Sequence, residues 1–153
     1  MRLDWAILSN FAEVQANLSY VLGGGWETAW RPSFPAPFGG ALSLRLLAHP
    51  SEVTTRHHVE LLFWNEDGRP FAPSVSLDFG PGGIPTGHPT GWDLASVVAI
   101  NLQSLLIPDA GRYSIEILID GQHVKSIPFL CMVGSGPSAI PPQLPPPASP
   151  GGG

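Results

Sequence analysis

Charge is scarce in this sequence. Asp, Glu, Lys and Arg make up 12% of the 153 residues and leave a net charge of −5, where an average protein carries about 25% charged residues. The one lysine, Lys125, stands apart from the arginines. No basic cluster exists to neutralise a run of phosphates, so nucleic acid is not an expected partner. The single cysteine, Cys131, cannot form an internal disulfide, which fits a reducing compartment. No apolar run approaches the roughly 20 residues that cross a bilayer. The start, MRLDWAILSN, has too short an apolar stretch for a signal peptide. These absences give the expectation of a cytoplasmic protein without a membrane partner. A lightly charged surface is also poorly protected against association, which favours a domain that covers part of itself with a partner or with its own copy.

What is present is alternation. Leu42, Leu44 and Leu46 alternate with Ser43 and Arg45, and Tyr113, Ile115, Ile117 and Ile119 alternate with Ser114, Glu116, Leu118 and Asp120. The same period of two runs through 57–64 and 98–103. Turn chemistry bounds the runs: Asn65-Glu66-Asp67-Gly68, and Asp120-Gly121 as a type I′ hairpin candidate. Prolines recur between them and break helices. Only Glu13–Asn17 has helical potential, and it is short. Strands are expected near 3–9, 16–22, 41–49, 57–65, 74–79, 96–103, 112–119 and 123–132. Asp109-Ala110-Gly111-Arg112-Tyr113 has the D-x-G-x-Y form of a tyrosine corner. The fold class expected is all-β, a two-sheet antiparallel Ig-like β-sandwich of about eight strands. It would occupy residues 1–133. Residues 134–153, GSGPSAIPPQLPPPASPGGG, carry no charge and little apolar surface to bury, and are expected to be a disordered Pro/Gly-rich tail.

The stretches LDWAIL, YVLGGGW, WRPSFPAPFG, LRLLAHPSE and GRYSIEILIDGQHVKSIPF together resemble a family of small uncharacterised bacterial all-β proteins. The resemblance covers nearly the whole domain and excludes the tail. It implies the fold and a bacterial setting, and it carries over no catalytic residue, because the family has no assigned activity.

The glycine triplet of YVLGGGWETAW invites comparison with a phosphate loop. Such a loop needs a helix after the glycines, and usually a lysine. Here Trp26-Glu27 follows, and Pro32, Pro35 and Pro37 forbid a helix. The triplet is better explained as a strand exit in which glycine supplies positive φ. It allows Trp26 and Trp30 to fold back, as part of an aromatic flap with Phe34 and Phe38. Trp and Arg are favoured interface anchors, so Trp26, Trp30 and Arg31 are candidate binding residues. The competing role for the rings is a plug at the end of the core. Trp92, in the loop from Gly80 to Asp93, is a fourth candidate.

No metal site and no cofactor are expected. His57 and His58 point to opposite faces of one strand, and no Cys/His spacing fits zinc. Cys131, inside PFLCMV, reads as buried and inert. No catalytic residues are assigned. The function expected is a non-catalytic interaction module acting through an aromatic edge, on a protein partner or as a homo-oligomer. The alternative is a small-ligand or glycan-binding sandwich that stacks its ligand on tryptophan. A third reading is an unrecognised hydrolase.

Overall fold

A computed structural model describes residues 1–136. The tail expected to be disordered lies outside the described residues from position 137 onward. The chain is all-β. Among the described residues there are eleven strands, one 3₁₀ turn at Pro50–Glu52 and no α-helix. None of it is a helix long and apolar enough to cross a membrane.

One sheet carries, in spatial order, β2 (Leu18–Gly24), β1 (Arg2–Gln15), β5 (Ala41–Ala48) and β8 (Leu94–Asn101). The other carries β3 (Thr28–Arg31), β11 (Gln122–Val133), β10 (Gly111–Ile119), β6 (His57–Asn65) and β7 (Val75–Phe79). A third, two-stranded sheet joins β4 (Ala36–Pro37) to β9 (Leu106–Ile107). Two expectations need correction. The strands number eleven rather than eight, since β3, β4 and β9 are too short to show alternation. The pairing is also not wholly antiparallel: β3 runs parallel to the end of β11, with Thr28 opposite Leu130 and Arg31 opposite Val133.

The alternating residues do form the core. Leu42, Leu44 and Leu46 of β5 face Val59 and Leu61 of β6 and Ile115 and Ile117 of β10, all at 0% exposure. Burying each such side chain contributes about 1.5–3 kcal/mol. Tyr113 makes the expected corner: its hydroxyl donates to the Asp109 carbonyl at 2.8 Å. The Asp120-Gly121 turn has φ of +52° and +76°, as a type I′ turn requires.

β1 is the longest strand and behaves as two. Its first half, Arg2–Ser9, pairs with β5, and its second half, Ser9–Gln15, pairs with β2. The stretch with helical potential is therefore strand and turn, with Ala16 and Asn17 at φ of +49° and +59°. The hairpin folds back across the outer side of its own sheet. Ser19 Oγ lies 2.8 Å from Ser43 Oγ, on the face of β5 opposite the core leucines. At the tip, Asn17 Nδ2 donates to the Ala95 carbonyl at 3.1 Å and Asn17 Oδ1 accepts from the Val97 amide at 3.2 Å. β5 is thus covered on both faces, and Ser43 is as buried as the leucines beside it.

Candidate functional site

The glycine triplet leaves β2 at one end of the molecule. Gly23 (φ +62°) and Gly25 (φ +86°) adopt the left-handed conformation, so the reading as a strand exit holds in its geometry. The Gly25 amide donates to the Leu8 carbonyl at 2.7 Å, which closes the turn against β1. The exit, the start of β3 and the bend at Gly39 enclose a cleft of about 620 Å³, bordered by Asn10, Gly23–Gly25, Trp26, Trp30 and Arg31. Three of the four candidate binding residues therefore meet in one place.

Their roles differ. Trp26 is half-buried and packs on the fully buried ring of Phe38, with centroids 5.3 Å apart. Gly40 permits this, because a Cβ there would stand 3.0 Å from both rings and 2.9 Å from the Ser9 carbonyl. Trp30 sits on the edge strand β3, half-buried. The chain after β11 lies on its indole, where a Cβ on Gly136 would come within 2.8 Å of Cδ1. The Arg31 guanidinium is held by the chain itself. It donates to the carbonyls of Pro37 (2.9 Å), Trp30 (2.7 Å) and Phe38. It clamps the proline-rich crossing with three of its N–H groups. Trp92 is not brought to the cleft. It stands 67% exposed in the loop between β7 and β8.

A second feature lies near the cleft, and alternation in the sequence does not reveal it. Phe11 pairs with Leu22, Glu13 with Tyr20 and Gln15 with Leu18, so these six share the outer face of the β1–β2 hairpin. Leu22 is 66% exposed, Leu18 59%, Tyr20 49% and Phe11 45%. Alternation would turn such large residues inward. The structure instead turns in Ala12, Val14, Ser19 and Val21, small enough to lie against the Ser43 face of β5. The stripe ends one residue along the chain from Asn10 and Gly23, which border the cleft. One sequence signal pointed here: LSYVLGG, residues 18–24, has no charge and no proline, the residues that natural edge strands use against unwanted pairing.

At the other end of β5 the histidines pair with carboxylates. His57 and His58 do face opposite ways. His57 Nδ1 lies 2.7 Å from Asp120 Oδ2, and His58 Nδ1 lies 2.9 Å from Asp78 Oδ1. The His57 bond holds the Asp120 carboxyl below the usual range, helped by the His58 amide. The Asp78 bond raises His58. Among the described residues no group of three or more His, Cys, Asp or Glu is placed to hold a metal. Cys131 is 2% exposed, and burial pushes its thiol up to about 11, far from a reactive thiolate.

The model of a family of unknown function, DUF6941, covers residues 4–131. The chain belongs to this family. The match to DUF6941 takes in the cleft, the exposed hairpin and the His57–Asp120 pair, and it ends at the buried Cys131. No curated protein matches the chain.

Proposed function

We propose that this protein is a non-catalytic interaction module, binding another protein chain or a second copy of itself along the outer face and free edge of the β1–β2 hairpin. The observation that carries this reading is the stripe of Phe11, Leu18, Tyr20 and Leu22, exposed together on a hairpin whose outer strand ends its sheet. An edge strand offers unpaired amides and carbonyls to an incoming strand, and alternate side chains then supply the apolar contact. The cleft lies at the base of the same hairpin and offers Trp26 and Trp30 as anchors. The finer fold reading is Ig-like, supported by the Tyr113–Asp109 corner. The setting proposed is the bacterial cytoplasm, supported by the lone, buried, unreactive Cys131.

Size-exclusion chromatography with light scattering, together with affinity capture, tests this. The wild type should self-associate or retain a defined partner. Leu22→Lys should abolish that while changing folding stability by no more than about 0.5 kcal/mol, as expected for an exposed site. A strictly monomeric protein that captures nothing sinks the proposal. The alternative, a small ligand or glycan stacked in the cleft, is supported by the two indoles that border it. A tryptophan-fluorescence titration with a sugar panel separates the two, since a flat response removes the glycan reading alone.

A further inference from the structure

We infer that the end of the molecule opposite the tryptophan cleft is a binding site for a small, largely apolar molecule carrying one hydroxyl or N–H donor, recognised by His57. The two sheets part here around a cavity of about 380 Å³, bordered by Met1, Ala48, His57, Phe79, Leu94 and Ser96. That is within the size range of small-molecule sites. His57 is 6% exposed. A carboxylate only accepts hydrogen bonds, so the 2.7 Å contact means that His57 Nδ1 donates to Asp120. In the neutral form of the ring this fixes the tautomer and leaves a lone pair on Nε2. That atom is buried, and no protein group among the described residues bonds it. A buried acceptor of this kind calls for a donor. Asp120 is itself fixed, because its Oδ1 accepts from the His58 amide at 2.8 Å.

Two carboxylates at this end are already committed. Glu52 accepts from the Met1 ammonium at 2.8 Å and from the His49 amide at 2.9 Å, and Asp78 is paired with His58. With Asp120, these make three carboxylates around one ammonium and disfavour an anionic ligand. The apolar part of the wall, Ala48, Phe79 and Leu94, favours a hydrocarbon or aromatic body. Because Nε2 is closed to solvent, the ligand displaces part of the wall to reach it. The part that yields is Gly80–Gly83. Its three glycines have open space where a Cβ would stand, and a single backbone bond, Gly82 amide to Val53 carbonyl at 2.8 Å, ties it down.

Phenol is a suitable probe, titrated into the full ¹⁵N-labelled chain with the His57 Nε2 resonance as the readout. Anisole keeps the ring and lacks the donor, and benzoate is an anion. Phenol should move the Nε2 resonance saturably, with anisole and benzoate binding about tenfold more weakly or worse, the loss expected for one good hydrogen bond. His57→Phe should weaken phenol by a similar factor. The idea is overturned if phenol leaves Nε2 unmoved, if anisole matches phenol, or if a folded His57→Phe binds phenol as well as the wild type. The probe comparison needs only the wild type, so it decides even where the variant does not fold. Leu22→Lys should bind phenol normally, which keeps this result separate from that for the hairpin.

Discussion

The molecule holds two long hairpins with similar turns and opposite outer surfaces. β1–β2 turns on Ala16-Asn17 and β10–β11 on Asp120-Gly121, with positive φ throughout. The outer side of β10–β11 satisfies itself: Glu116 accepts from Ser126 at 2.7 Å and lies 2.7 Å from His123. Burial works to raise the Glu116 carboxyl, but its bonds from Ser114, Ser126 and His123 outweigh this and hold it low. The outer side of β1–β2 has one polar pair, Gln15 donating to Glu13 at 3.0 Å, beside four exposed apolar side chains. One hairpin therefore ties its outward residues together, and the other leaves large apolar ones exposed. The inner faces differ as well. β10 buries Ile115, Ile117 and Ile119 in the main core, while β1–β2 rests on a polar seam of Ser19, Ser43 and Asn17.

The contrast can be broken from the β10 side first. Ile117→Ala removes a fully buried side chain and should cost about 2–5 kcal/mol in urea denaturation. An effect as small as that of Leu22→Lys would erase the distinction between the two surfaces. Asp120→Asn keeps a residue that tolerates positive φ, but weakens the bonds to His57 and to the His58 amide. The expected loss is about 1–3 kcal/mol at neutral pH. The folded carboxyl of Asp120 lies below its ordinary value of 3.8. Its stabilisation is therefore present above that value and is lost as pH falls through the lower folded one. Melting temperature followed into acid should fall less steeply for Asp120→Asn than for the wild type. Asn17→Gly, the mildest change, keeps the turn geometry and removes two bonds to β8, at about 1 kcal/mol. Hydrogen exchange should then quicken in β2 and leave β10 unchanged. Faster exchange in both would show that the hairpins do not behave independently.

Much of β10–β11 was legible because one signal served every purpose. Its alternation, its Asp-Gly turn and its tyrosine corner agree, so face and register follow directly. The β1–β2 hairpin was harder, because its pattern is ambiguous: Leu18, Tyr20 and Leu22 compete with Val21 and Ser19 for the inward side. The winner was set by a surface 24 residues away in sequence, at Ser43, and no local pattern carries that. Gathering Trp26, Trp30 and Arg31 was within reach, since glycine and proline spacing directs the chain there. The consumption of Arg31 by three carbonyls was not. The His57–Asp120 pair spans 63 residues and joins a strand start to a turn that had its own sufficient explanation.

The double covering of β5 also constrains the order in which the protein can be made. The β1–β2 hairpin leaves the ribosome well before the partners that pin its tip, Ala95 and Val97, which lie 78 and 80 residues later. Until β8 is synthesised, the hairpin has no lock for its tip, and its outer face is open to other chains. A nascent chain of this kind has an interval with its apolar stripe exposed and its tip unpinned. On the interaction proposed above, assembly during translation, rather than after it, is the natural moment for this hairpin to be met.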